Sequence, residues 1–336
     1  MALSALASVR PGESALALDC DFNEPTSADE LFQTPLASAF GFSLTRLARH
    51  TYFLGRAASA SFPSLMGDYY KAKRGLFGAG LSYSAICADP VFPLPPALGM
   101  PSEKSTPPLF PPPSAFDRFL QKTARDLGFR RALASHESIG ITSFVYEAVR
   151  NSFEHGITND PARKKRSTRA IIVEKIVLQN IQTPTTRFSP ELNDYVERIR
   201  EAHQDDLGLG ILCLTVADQG DGIQATLPAK ANETDQQRLA RAFQPGESRK
   251  PHGIVSRGLG LPNIVSAAHH LRALVRITSR NLVVGQDFSL AASKYPAMDF
   301  QTVRSLPANC MCGTCISVFV PEYAFNVDQA SLFGPR

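Results

Sequence analysis

No stretch of the 336-residue chain is an uninterrupted apolar run of membrane-spanning length. The nearest candidate, Gly75–Ala88, is short, rich in glycine and runs into prolines. The opening MALSALASVRPGES places no basic stretch ahead of its short apolar run, as a secretory signal requires. A strong charge of either sign is missing too: the net charge of +4 is too mild to argue for nucleic acid. Six cysteines make no disulfide framework in a chain this long, and without an export signal they read as reduced thiols. The absence of tryptophan excludes nothing. The phosphate-loop pattern G-x-x-x-x-G-K-[ST] does not occur, which argues against a P-loop enzyme. The expectation is a soluble, cytoplasmic protein.

What is present is ordinary globular composition, 43% hydrophobic and 20% charged. The length suffices for a catalytic core plus a second domain or large insertions. Residues 1–89 read as an accessory region, a small domain or an arm that packs on the core or on another subunit. Ser14–Asp19 alternates like a short strand. Ser27 and Glu30 form a capping-box pattern opening a helix that Pro35 interrupts, and a second helix is expected over 40–54. Ten of the twenty-four residues from Pro90 to Pro113 are proline, which keeps neither a helix nor a central strand. We read 90–114 as a linker, with a docking site for a proline-binding partner as the rival, 115–322 as the main domain and 323–336 as a tail.

In that domain Phe116–Leu127 reads as a helix ending at Gly128, and a turn at Ala134–Ser138 leads to the next helix, with Ser138 as its cap. This second helix, FVYEAVRNSFEHG (Phe144–Gly156), places Glu147, Asn151 and His155 four residues apart. Each step of four rotates only about 40°, so the three form one polar line. Ile141, Val145, Ala148 and Val149 fall on the adjacent arc and would hold the helix on a sheet. Arg163–Arg169 carries five positive charges in seven residues and reads as a solvated loop, with phosphate or nucleic acid contact the rival. Strands are expected at Ala170–Leu178 and Gly210–Ala217, with an amphipathic helix at Pro190–His203 between them.

The second strand runs into Asp218-Gln-Gly220-Asp-Gly222, a carboxylate at a sheet edge followed by backbone free to bend sharply. Such an aspartate can accept a hydrogen bond from an exocyclic amine such as adenine's. After Ile223–Arg257 comes Gly258-Leu-Gly260-Leu261-Pro-Asn263, ahead of an expected helix at Ile264–Leu271. Glycines opening a helix let backbone N–H groups and the positive end of the dipole face an anion. The dinucleotide pattern G-x-G-x-x-G is not met, because Asn263 holds its last position. Leu274–Ser279 reads as a strand, and after a poorly patterned stretch Gly313-Thr314 opens a last one, ending at Pro321.

This order of motifs resembles the GHKL ATPase superfamily of gyrases, heat-shock chaperones, histidine kinases and mismatch-repair ATPases. The resemblance covers roughly 116–322. YEAVRNSFEHG is most similar to the anti-sigma-factor serine kinases, which also carry glutamate in this box, and AFQPGESRK is similar to a histidine-kinase lid. The resemblance implies the family's Bergerat ATP-binding fold, a two-layer α/β sandwich with a mixed sheet. It implies Asn151 as ligand of Mg²⁺ bridging the ATP phosphates, and Glu147 as catalytic base. By the same resemblance Asp218 meets the adenine amine, with Gly220 and Gly222 beside it. Gly258, Gly260 and Leu261 form the phosphate loop, Thr314 supports the adenine pocket, and His155 either contacts phosphate or packs. Residues 223–257 would form the ATP lid, with Arg238, Arg241, Arg249, Lys250, His252 and Arg257 as candidate phosphate contacts.

The function implied is slow ATP hydrolysis coupled to lid closure and a regulatory partner protein. Alternatives are a serine/threonine kinase of the anti-sigma-factor type and a nucleotide-gated binder without turnover; a homodimer stays open. His136-Glu137 echoes a histidine-kinase phosphoacceptor, but stands only fifteen residues before Asn151, with no room for a dimerisation helix pair. Cys310, Cys312 and Cys315 could bind zinc with a fourth ligand, but we favour buried reduced thiols, because alternation sends neighbouring side chains of a strand to opposite faces.

Overall fold

Nine consecutive residues, Gly210–Asp218, are buried without interruption, as expected of a strand covered on both faces. The computed structural model describes residues 15–18, 50–53, 56–57, 74–75, 82–88, 98, 110–130, 137–156, 168–178, 190–203, 208–218, 220–244, 260–290, 300–305 and 313–326. The strands are β1 (Ala15–Leu18), β2 (His50–Phe53), β3 (Arg56–Ala57), β4 (Arg74–Gly75), β5 (Ser82–Ala88), β6 (Thr168–Val177), β7 (Gly210–Asp218), β8 (Leu274–Ser279), β9 (Leu282–Asp287), β10 (Gln301–Ser305) and β11 (Thr314–Pro321). The helices are α1 (Pro113–Asp126), α2 (Glu137–His155), α3 (Pro190–Ala202), α4 (Ile223–Thr226), α5 (Asp235–Ala242) and α6 (Gly260–His270).

The fold is mixed α/β. One sheet of eight strands runs in the order β10-β9-β8-β11-β7-β6-β5-β4, and β1, β2 and β3 form a separate small sheet. Every paired neighbour in the large sheet is antiparallel, so the expected mixed sheet is corrected. The reason is β11. It runs between β7 and β8, antiparallel to both, so these two strands of like direction never pair.

On one face α2 buries Ile141, Phe144, Val145, Ala148 and Val149, the i, i+3, i+4, i+7, i+8 stripe of an amphipathic helix. They share a core with Leu212, Leu214 and Val216 of β7 and with α1 and α6. Each fully buried side chain of this size contributes about 1.5–3 kcal/mol. The alternate residues Ile211 and Cys213 face the other way and pack with Leu192, Tyr195, Val196 and Ile199 of α3. The architecture is compatible with the expected α/β sandwich, and α3 adds cover on part of the second face, because β7 is apolar on both sides.

Several boundaries move. Ser82–Ala88 pairs along β6, so this part of residues 1–89 belongs to the main sheet despite the prolines that follow. His50–Phe53, within an expected helix, is a strand. Leu98 is buried and Phe110 stacks on Phe116, so the proline-rich segment is no bare linker at those points. Ser138 falls inside α2 and does not cap it. Ala324 and Phe325 are buried, so the domain runs past 322. Strands β9 and β10 occupy the stretch whose pattern was poor. The expected helix at Ser27 lies outside the described residues. No helix among the described residues is long and apolar enough to cross a membrane.

Candidate functional site

The polar line of α2 meets the start of α6. That helix begins at Gly260, four residues earlier than its apolar pattern suggests, so Gly260, Leu261, Pro262 and Asn263 form its first turn. A Cβ on Gly260 would stand 2.8 Å from Glu147 Oε2 and 3.4 and 3.5 Å from the two ends of the Asn151 amide. A side chain at 260 would displace the carboxylate end of Glu147 and touch the Asn151 amide. Asn151 Nδ2 is buried and has no hydrogen-bond partner among the described residues. Leaving such a group unsatisfied costs about 1–3 kcal/mol. A half-turn of the amide would exchange its N and O ends, so the same side chain can present a donor or an acceptor. Burial raises the pKa of the Glu147 carboxyl; Arg150 opposes the shift and Glu154 adds to it. A raised pKa makes a carboxylate a better proton acceptor near neutral pH.

The last turn of α2 touches the first glycine box. A Cβ on Gly156 would stand 2.9 Å from Asp218 Cβ and Cγ, and one on Gly220 would stand 2.7 Å from Gly156 Cα. Asp218, at the buried end of β7, accepts the Gly220 N–H at 2.8 Å. Burial lifts its pKa to about 6, against the N–H of Gly220, the charge of Arg169 and the N–H of Thr314. Thr314 is buried and lies in register with Asp218 on one side and Ser279 on the other. Gly222 has φ +86°, a backbone conformation that disfavours side chains.

Beyond Gly222, Ile223 donates its N–H to Ser279 Oγ at 2.8 Å. That hydroxyl donates to Gln224 Oε1 at 2.6 Å, and Gln224 Nε2 returns a bond to the Ser279 carbonyl at 3.1 Å. Both side chains are fully buried. The first glycine box is therefore fastened to the end of β8. Arg169, in register with Asp218, is buried as well: its Nε donates to the Ser152 carbonyl at 2.9 Å, and its guanidinium lies 4.2 Å from the centre of the Phe153 ring.

The structure thus brings Glu147, Asn151 and Gly260 together, and groups Asp218, Gly220 and Thr314 with Gly156. Leu261 packs against the core. His155 closes α2 with Nε2 3.9 Å from Glu154 Oε2. Gly258, Arg249, Lys250, His252 and Arg257 lie outside the described residues, as do Cys310, Cys312 and His136.

Two candidate phosphate contacts are corrected. Arg241 is buried and bonds Glu233 through Nε at 2.6 Å and Nη2 at 2.9 Å, and also the Pro228 carbonyl. Arg238 lies 3.5 Å from Glu233. The Arg241 bonds foremost, with the Lys230 N–H and the charges of Arg241 and Arg238, draw the Glu233 carboxylate down to about 2. The first half of the expected lid is itself packed: Ile223, Leu227, Leu239, Ala242 and Phe243 join the core. Arg169 corrects the solvated-loop reading of the basic run at its last residue. Cys315 and Cys213 are free thiols, and burial lifts that of Cys315 to about 11. Among the described residues no group of three or more His, Cys, Asp or Glu is placed to hold a metal.

Gly156, Arg169 and the Gln224–Ser279 pair escaped the sequence reading. Gly156 carried a signal, a glycine one residue past a helix end; the others depend on strands meeting across the sheet. No family model, curated protein or solved structure matches the chain.

Proposed function

We propose that the chain is an ATP–Mg²⁺-binding module of the GHKL type that hydrolyses ATP slowly, in step with movement of its lid and engagement of a partner protein. One observation carries the reading. A carboxylate with a raised pKa and an amide whose buried Nδ2 lacks a partner among the described residues stand side by side, under a helix start whose glycine comes close to both. A hard cation takes oxygen ligands such as an amide carbonyl, and a triphosphate takes the free N–H groups of a helix's first turn.

Asn151 would hold the metal or a phosphate oxygen through its amide, and the first turn of α6 would face the phosphates. Asp218 keeps acceptor capacity beyond its bond from Gly220 and would receive the adenine amine. Bound ATP–Mg²⁺ supplies the electrophilic phosphorus and the positive charge that offsets its oxygens. Glu147 would orient a water molecule and take its proton at a carboxylate oxygen.

Calorimetric titration with ATP, with and without Mg²⁺, tests the reading. The wild type should bind in a metal-dependent way, and Asn151→Ala should weaken binding between about tenfold and a hundredfold. Failure of the wild type to bind ATP sinks the proposal. Phosphate release by Glu147→Ala at equal occupancy should fall by about a hundredfold or more; an unchanged rate removes Glu147 as the base. Label passing to a co-purifying serine or threonine protein would replace hydrolysis by phosphotransfer.

A further inference from the structure

The hairpin between β8 and β9 turns on two residues, Arg280 and Asn281, since Ser279 pairs with Leu282. Such a turn asks for positive φ and favours Asn, Asp or Gly. Here Arg280 takes φ +52°, where an arginine side chain is disfavoured. A residue that local turn chemistry selects against is held in place by its surroundings, and such residues gather at functional sites.

Three contacts hold it. Its backbone N–H donates to the Gly313 carbonyl at 3.3 Å, beside Thr314. The preceding Ser279 is locked to Gln224 and to the Ile223 N–H. Its methylene stem lies against Gly222, where a Cβ would collide with Arg280 Cγ. Arg280 is exposed overall, so the stem rests on the first glycine box while the residue faces solvent. It therefore sits at the end of the sheet where Asp218 and Thr314 meet, between a glycine on either side.

We propose that Arg280 is a base-stacking residue: its planar guanidinium closes the purine end of the pocket by lying on the face of the bound base. This rests on the nucleotide reading above and extends it to a contact with the base. A guanidinium combines positive charge with a flat surface and weak hydration, which suits it to an aromatic face. The glycine at 222 gives its stem room, and the Gln224–Ser279 bonds fix its height above the loop.

The test is Arg280→Asn, because asparagine suits the turn's positive φ and the variant should melt at or above the wild-type temperature. Titrate wild type and variant with ATP–Mg²⁺ and with tripolyphosphate–Mg²⁺, which lacks the base. ATP affinity should fall by about fivefold to tenfold while tripolyphosphate affinity stays the same. Arg280→Lys should recover only part of the loss, since an ammonium has charge without a flat face. Equal ATP affinity in wild type and Arg280→Asn overturns the inference and leaves the nucleotide reading intact. An equal loss for both ligands overturns it too, by making the contact one to phosphate. If the wild type binds no ATP, both proposals fall together.

Discussion

Where β7 begins, the carboxylate, ammonium and hydroxyl that tie the sheet together are all bonded; where it finishes, the Nδ2 of Asn151 has no partner among the described residues. At the first end Glu322, 1% exposed, accepts the N–H of Gly210 at 3.0 Å and that of Arg130. Lys175 donates to the Gly128 carbonyl at 2.6 Å and lies over the Phe129 ring. The Tyr195 hydroxyl stands 3.0 and 2.9 Å from the carbonyls of Arg272 and Phe319, fastening α3 to the sheet. At the other end lie the unpartnered Nδ2 of Asn151, the Asp218 carboxyl lifted to about 6, and positive φ at Gly222, Arg280 and Gly313; positive φ is not confined there, since Gly128 and Arg272 have it at the first end. An unmet buried donor costs stability, and a ligand that completes its bonding recovers that cost. The first end fastens α3 and the sheet together; in the proposed function the second is the end that meets the nucleotide.

The comparison breaks most sharply at Glu322. Glu322→Ala strips a charged acceptor from two backbone N–H groups and should lower stability by about 3 kcal/mol, read from urea unfolding. ATP affinity measured well below the unfolding midpoint should stay within about twofold of wild type. A large loss of affinity in folded protein would mean that the two ends are coupled.

Asp218 gives the next effect, and its sign differs for folding and binding. The folded pKa of about 6 exceeds the ordinary 3.8. The group's contribution to stability is therefore greatest below about pH 4 and declines as pH rises through 6, by about 3 kcal/mol in all. Binding runs the opposite way, because only the ionised carboxylate is a full acceptor for an exocyclic amine. ATP affinity should rise about tenfold from pH 5 to pH 7, and Asp218→Asn should flatten that rise. A rise that persists in the variant would assign it to another group.

Legibility in the sequence divides along similar lines. Helical spacing placed Glu147 and Asn151 on one line, and Leu274–Ser279 and Thr314–Pro321 are strands with the bounds their apolar runs suggest. The meeting of Asn151 with Gly260 was implied only by the GHKL resemblance, which set both beside the phosphates. Strand β9 stayed hidden because its turn is Arg280-Asn281, without the glycine that marks a hairpin. Arg241 looked like a phosphate ligand because nothing local shows that Glu233 has already claimed it. Arg169 closes a basic run, yet is buried on the sheet beside Asp218. The antiparallel sheet could not be read from strand order in the chain, since β11 returns between two strands that precede it. Local periodicity was visible; which charge meets which was decided by the sheet.

The smallest effect separates two uses of glycine. Gly128, just past α1, has φ +69°, and a Cβ there would meet nothing within 4 Å. Its requirement is purely conformational, so Gly128→Ala should cost about 1 kcal/mol, seen as a lower unfolding midpoint with ATP affinity unchanged. Gly128→Asn should recover part of that, because asparagine tolerates the left-handed region. Gly260 sits in a helix, where alanine is the better former by about 1 kcal/mol, and a Cβ there would press on Glu147. Glycine at 128 answers a backbone preference; at 260 it leaves room beside the Glu147 carboxylate. If Gly128→Ala instead weakened ATP binding at unchanged stability, the division between the two ends of the sheet would be wrong.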